Sequence, residues 1–118
     1  MTSFDLGAET FQAAIAEHEI LLVDFWAAWC GPCRQFAPTY ENAAEANPDL
    51  AFGSVDTQTE PALAQALGIT SIPTLMAFKQ GNLVFARPGA LTPAQLAELI
   101  GGLRALDVSA MARQPGAR

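Results

Sequence analysis

Two cysteines, Cys30 and Cys33, lie within the segment FWAAWCGPCR, and the chain contains no others. Such a pair could form a structural disulfide, supply part of a metal site, or act as a reactive dithiol. A disulfide between them closes a very small ring and adds little rigidity, because the stabilisation grows with the length of the closed loop. A chain of 118 residues, of which 51% are hydrophobic, also needs no disulfide scaffold. The structural disulfide is therefore the weaker interpretation.

Ligands for a metal site are scarce in this chain. Structural zinc takes about four ligands, and besides the cysteines the chain offers a single histidine, His18. That residue lies in AEHEI, an acidic segment typical of a surface helix end. A cysteine-protease site would need the histidine and an Asn or Asp beside Cys30. No metal site is predicted, and the protease interpretation is also the weaker one.

A reactive dithiol fits the position of the pair between a strand and a helix. The run Ile20–Trp26 is apolar and of strand length, and Cys33–Ala46 has helical spacing. Cys30 then falls where the strand has ended and the helix begins. Unpaired N–H groups and the helix dipole favour an anion there, and so favour a thiolate. Cys30 is predicted to be the nucleophile, and Cys33, one turn deeper, the shielded resolving thiol.

The other periodic segments alternate strands with helices. Further strands are predicted over Leu50–Val55, Thr74–Phe78 and Leu83–Ala86, the last two joined by the turn KQGN. Further helices are predicted near Phe11–Ile15, over Pro61–Leu67, and from Pro93, where Thr92 and Gln95 can form a capping box. Pro38 is expected to kink the helix after the cysteines. This alternation predicts an α/β fold with a mixed central sheet.

The length of the chain suits one domain. We expect this domain to occupy residues 1–106, because the apolar periodicity of the last helix ends there. Residues 107–118 lose that periodicity and end in QPGAR, which is typical of a flexible C-terminal tail.

Charge and hydropathy restrict the possible partners and the location. The net charge is −6 with six Lys and Arg residues, so no nucleic-acid surface is expected. The start, MTSFDLGAET, lacks the basic and apolar segments of a secretory signal. The run ILLVDFW is too short to cross a bilayer and contains Asp24. No Gly-rich phosphate loop is visible, so no bound nucleotide is expected. These features predict a soluble cytoplasmic protein that does not bind membranes.

Three segments resemble the thioredoxin family: VDFWAAWCGPCRQFAP, SIPTLMAFKQG and PGALTPAQL, in that order. The resemblance extends from about Phe4 to Leu103. It implies a thioredoxin fold, with a mixed sheet of about five strands flanked by about four helices. It also implies a protein-disulfide reductase that alternates between a Cys30–Cys33 dithiol and disulfide. The implied partners are disulfide-containing proteins and a thioredoxin reductase that draws on NADPH, with no cofactor bound to this chain. A monomer is the default expectation.

The resemblance assigns roles to Asp24, Ile72 and Pro73. Asp24 is implied to be a buried acid that takes a proton from Cys33, whereas the pattern alone equally allows a strand-edge Asp facing water. The Ile72–Pro73 bond is implied to be cis and to face the cysteines. Backbone groups around Ile72 would then pair with an extended substrate segment.

The remaining substrate-binding positions are Trp29, Gly31, Pro32 and Gly89. Trp29 matches an exposed tryptophan of the family site, whereas Trp26 is interpreted as packing. Pro32 has a fixed φ that keeps the short ring stiff, and the Gly31-Pro32 dipeptide lacks the histidine found in oxidising relatives, which favours reduction. Gly89 matches a glycine beside the substrate groove, although a plain turn glycine explains it equally well.

One position departs from the family pattern, and two other function classes stay open. Ser54 occupies the place where a lysine commonly approaches the buried acid, so Asp24 is predicted to protonate near neutral pH. The alternatives to a reductase are a binding module that acts through its surface and a disulfide oxidant in an extracytoplasmic compartment.

Overall fold

The sheet is built around a strand that is buried on both faces. The computed structural model describes residues 3–109, and within them the strand order is β1-β3-β2-β4-β5. The strands are β1 (Ser3–Asp5), β2 (Ile20–Trp26), β3 (Ala51–Asp56), β4 (Thr74–Lys79) and β5 (Asn82–Pro88). β1 and β2 run parallel to β3, β4 runs antiparallel to β2, and β5 runs antiparallel to β4. The predicted mixed sheet is therefore confirmed.

Helices cover both faces of this sheet. They are α1 (Phe11–Glu17), α2 (Gly31–Ala46), α3 (Pro61–Ala66) and α4 (Pro93–Ala105). Alternate residues of β2 point to opposite faces. Leu22 packs in the cluster that contains residues of α2 and α4, whereas Leu21 and Val23 pack in the cluster on the α1 side. Because both faces are covered, β2 needs a nearly continuous apolar sequence.

Local signals placed most of the elements correctly. The bounds predicted for β2 are those observed, and α2 starts two residues before the predicted Cys33 and ends, as predicted, at Ala46. The Thr92–Gln95 capping box is present in both directions. Pro38 lies inside α2, which continues as one element past it.

The chain stays packed beyond the boundary predicted at residue 106. Up to that boundary, the end of α4 is held by the buried Lys79 ammonium, which donates to the carbonyl oxygens of Leu103 at 2.6 Å and Leu106 at 2.7 Å. Val108 is buried, and Ser109 donates to the Asp107 carboxylate. The burial of Val108 thus continues the packing past residue 106, and the domain boundary itself stays a prediction. The rest of the predicted tail lies outside the described residues.

In the part of the chain that the structure describes, none of the helices is long and apolar enough to cross a bilayer.

Candidate active site

The cysteine pair sits at the junction of the β2–α2 loop with the helix. Cys30 is the N-cap of α2, and its Sγ accepts a hydrogen bond from the backbone N–H of Cys33 at 3.1 Å. The two residues form a disulfide, with their Cα atoms 5.2 Å apart. Pro32 lies in the first turn, where its missing N–H costs no helical hydrogen bond. In the reduced state, the same N–H group and the helix dipole favour negative charge on the Cys30 sulfur.

Both cysteines are buried, but they face different surroundings. Cys30 is 4% exposed and Cys33 is 3% exposed, so exposure alone does not separate them in the disulfide form. The Cys30 Sγ lies 3.8 Å from the carbonyl oxygen of Ile72, on the loop before β4. Cys33 instead lines a cavity that opens to the surface beside α2. The two sulfurs therefore have different neighbours, and their division into a substrate-facing and an inner sulfur stays a prediction.

The loop before β4 lies against the cysteines. The Ile72–Pro73 peptide bond is cis, as the resemblance implied. The N–H of Gly89 donates to the carbonyl oxygen of Pro73 at 2.7 Å. Gly89 has a φ of +100°, a conformation that residues with a Cβ rarely adopt. The structure thus brings Ile72, Pro73 and Gly89 together beside Cys30, and their part in substrate binding stays a prediction.

The two tryptophans near the cysteines differ in exposure. Trp29 is 65% exposed, and Pro32 beside it is also exposed. Trp26 is partly buried and packs against the small cluster of Ala27, Cys30 and Cys33. This agrees with the predicted packing role of Trp26 and leaves Trp29 available at the surface.

Asp24 is buried in the middle of the sheet. It is 6% exposed, and among the described residues its Oδ1 has no hydrogen-bond partner. Burial raises its pKa to about 7, and the nearby negative charge of Glu41 contributes to the rise. Ser54 lies directly beside it in the register of β3. The alternative of a strand-edge Asp facing water is therefore wrong, because β2 is the central strand.

A cavity of about 260 Å³ lies behind the disulfide, between α2 and the first three strands of the sheet order. Its lining includes Asp24, Cys33, Tyr40, Glu41 and Ser54. The Tyr40 hydroxyl is held by a 2.7 Å hydrogen bond to the carbonyl oxygen of Gly53, and burial raises the Tyr40 pKa well above its usual range. Cys33 and Asp24 therefore line the same space, and the transfer of a proton between them stays a prediction.

Glu41 is a site residue that sequence reasoning missed. Its signal is the spacing of Cys33, Ala37 and Glu41, which puts the three side chains on one face of α2. This spacing identifies Glu41 as a site residue only once β1 is known to pack beside that face of α2.

Within residues 3–109, no group of three or more His, Cys, Asp or Glu side chains is placed to hold one ion. His18 follows α1 at the opposite end of β2 from the cysteines, where its ring lies 5.8 Å from that of Phe4. The structure therefore does not bring His18 to Cys30, as zinc binding or protease chemistry would require.

Most of the chain is similar in sequence to known proteins. The family model for thioredoxin matches residues 3–101. A Streptomyces coelicolor protein whose name places it among thioredoxins is 57% identical over 109 residues, covering 92% of this chain and 81% of that protein. A thioredoxin of Alicyclobacillus acidocaldarius is 43% identical over 95 residues, covering 76% of this chain and 90% of that protein.

Solved structures agree with the fold. A mutant thioredoxin from Halobacterium salinarum superposes with a TM-score of 0.82 at 31% identity, covering 89% of this chain and 93% of its own. The oxidised form of mitochondrial thioredoxin 3 from Saccharomyces cerevisiae superposes with a TM-score of 0.75 at 31% identity, covering 87% and 94% of the two chains.

Proposed function

We propose that Cys30 is the nucleophile, Cys33 the resolving thiol and Asp24 the proton acceptor of this chain, which belongs to the thioredoxin family and is a thiol–disulfide oxidoreductase that reduces protein disulfides. The observation that carries this assignment is the position of Cys30 as the N-cap of α2, with its sulfur accepting the Cys33 N–H.

The first step forms a mixed disulfide. The Cys30 thiolate attacks one sulfur of the substrate disulfide, a Cys30–substrate S–S bond forms, and the substrate S–S bond breaks. The departing substrate thiolate takes a proton from solvent. Only a thiolate attacks, so the donor at the helix N-terminus favours this role for Cys30.

The second step releases the substrate. Cys33 gives its proton to the Asp24 carboxylate, and its thiolate attacks the Cys30 sulfur. The Cys30–Cys33 bond forms, the Cys30–substrate bond breaks, and the second substrate thiolate leaves. Two electrons have then passed from the dithiol to the substrate. The cavity shared by Asp24 and Cys33 supports this proton transfer.

Substrate docks, in this proposal, on the surface around Cys30. The exposed Trp29 offers an apolar contact, and Pro32 continues that surface. The loop of Ile72 and Pro73 presents backbone groups with which an extended peptide can form a short strand pairing. Gly31 and Gly89 lack side chains that would stand in its way, so they complete the predicted substrate-binding set.

Electron supply and setting follow by family resemblance. We propose that a thioredoxin reductase using NADPH regenerates the dithiol, and that the protein acts as a monomer in the cytoplasm. We also propose that the domain extends past residue 106, because Val108 is buried.

Trapping of mixed disulfides tests the roles of the two cysteines. Cys33→Ser should accumulate the Cys30–substrate adduct when mixed with a protein disulfide, because the resolving thiol is missing. Cys30→Ser is the matched control and should form little adduct. Adducts that form mainly on Cys33 of the control variant would contradict the assignment. Unchanged function in the double variant would favour the binding-module alternative.

A further inference from the structure

One face of α2 connects the inner cysteine with a second carboxylate. Cys33, Ala37 and Glu41 follow at four-residue spacing, and all three line the cavity that also contains Asp24. Ala37 carries only a methyl group, so this face stays open between Cys33 and Glu41. Asp24 on β2 and Glu41 on α2 therefore line the same space.

Glu41 is held in place by the first strand. The backbone N–H of Ser3 donates to the Glu41 Oε1 at 3.4 Å, and the Ser3 hydroxyl donates to Oε2. Ser3 is buried, at 8% exposed. These contacts fix the Glu41 carboxylate beside the cavity, where its charge acts on Asp24.

Other charged groups near the cavity are turned elsewhere or lie at its rim. The Arg34 guanidinium donates to the carbonyl oxygen of Ala28 at 2.8 Å and is exposed. Asp5 of β1 is exposed, and Asp56 of β3 accepts from the N–H of Gln58. The immediate neighbours of Asp24 in register are uncharged: Ser54 on β3 and Leu75 on β4. Tyr40, also on α2, is held neutral by its burial.

We propose that Glu41 is a positioning residue whose negative charge across the cavity strengthens Asp24 as the proton acceptor for Cys33. The inference rests on the proposed role of Asp24 in the second step. A base works best when its proton affinity matches the operating pH. Position 54 carries no lysine that would lower the pKa of Asp24. The charge of Glu41 adds to the effect of burial and brings this pKa closer to neutral pH.

The proton balance of the step is unchanged by Glu41. The Cys33 S–H bond breaks, the proton goes to a carboxylate oxygen of Asp24, and the Cys33 electron pair forms the bond to the Cys30 sulfur. The proton leaves later through the cavity, whose mouth is marked by the exposed lining residues Asp5, Arg34 and Ala37.

A carboxyl titration measures the effect of Glu41 directly. Nuclear magnetic resonance of the oxidised protein, with ¹³C-labelled aspartate, follows the Asp24 carboxyl carbon between pH 4 and 9. In Glu41→Gln we expect its midpoint to fall by about half a pH unit or more, since a nearby like charge has been removed. Glu41→Asp keeps the charge and should retain most of the wild-type midpoint.

Two control variants separate this effect from a general change in charge. Glu45→Gln makes the same change one turn further along α2 on an exposed side chain and should leave the midpoint in place. Ser54→Lys adds a cation next to Asp24 in register and should lower the midpoint, which shows that the readout responds to local charge. An unmoved midpoint in Glu41→Gln, with Ser54→Lys shifted, would overturn the inference.

Single-turnover reduction of a protein disulfide across the same pH range gives a second readout. In the pH–rate profile of Glu41→Gln, the acid limb should move to lower pH together with the Asp24 titration midpoint. The plateau rate should fall by about twofold because Asp24 has become a weaker base. If Asp24→Asn leaves the profile as in the wild type, the proposed role of Asp24 fails. If Asp24→Asn alters it and Glu41→Gln does not, only the inference about Glu41 fails.

Discussion

Burial disfavours the ionised form of Asp24 in the folded protein, so the stability of the protein depends on pH. Its pKa is raised from 3.8 to about 7 by burial and by Glu41. The folded state therefore holds a proton that the unfolded chain has lost between these two pH values. Stability should fall as pH rises from about 4 to about 7 and then level off, because the unfolded state binds fewer protons in that window.

Asp24→Asn should remove this pH dependence. At pH 8 we expect the variant to be more stable than the wild type by up to roughly 4 kcal/mol, since each pKa unit corresponds to about 1.4 kcal/mol. At pH 4, where Asp24 is protonated, the difference should be small. Urea unfolding at both pH values measures it. Equal stabilisation at pH 4 and pH 8 would contradict the account of a buried, titrating carboxyl group.

Gly89 is required by its backbone conformation and not by lack of space. Its φ is +100°, and a Cβ built there would meet no atom within 4 Å. Gly89→Ala should therefore lower the free energy of unfolding by about 1 kcal/mol or more. Gly101→Ala, an exposed helical position that is also open, is the matched control and should stabilise α4 by about 0.5 to 1 kcal/mol. Equal effects at the two positions would argue against this account of Gly89.

Local sequence patterns predicted a helix or strand correctly where the residues that stabilise it lie within one short segment. The apolar run of β2 and the capping box of α4 are of this kind, because each depends on residues within a few positions of one another. β1 has three residues and no pattern of its own, so only the family resemblance implied a fifth strand. Its pairing with β3 depends on residues about fifty positions away, which no local pattern can indicate.

The capping box can be tested at the level of the helix. The Thr92 hydroxyl accepts from the N–H of Gln95 at 3.1 Å, and the Gln95 side chain accepts from the N–H of Thr92 at 3.0 Å. Thr92→Ala should cost about 1 kcal/mol of unfolding free energy, since an N–H at the helix start loses its partner. Thr59→Ala, an exposed threonine outside any helix, is a control that should cost less. A loss no greater than the control would contradict the cap assignment.

At the scale of the whole molecule, a buried lysine joins the sheet to the C-terminal segment. Lys79 at the end of β4 donates to three carbonyl oxygens, those of Leu103, Arg104 and Leu106. No sequence pattern indicated this link, because Lys79 and its partners are more than twenty positions apart. The same limit applied to the cavity, since Glu41 and Asp24 come to line one space only after α2 packs on β1 and β2.

Lys79→Met should weaken this link while keeping the length of the side chain. The carbonyl groups at the end of α4 lose a charged donor, and we expect a loss of about 1 to 3 kcal/mol in unfolding free energy. Hydrogen exchange should accelerate first at Leu103 to Val108. Gln80→Met, at an exposed neighbouring position, is the control substitution. Unchanged protection of Leu103 to Val108 in Lys79→Met would contradict the role assigned to Lys79.

The most direct test of the account is to identify which cysteine of the reduced protein reacts first. A limiting amount of an alkylating reagent at pH 7, followed by peptide mass spectrometry, reports the thiolate that is present. Because the Cys30 sulfur receives the N–H group at the start of α2, we predict that most of the label is on Cys30. Equal labelling of the two cysteines, or labelling mainly on Cys33, would contradict the assignment of Cys30 as the nucleophile.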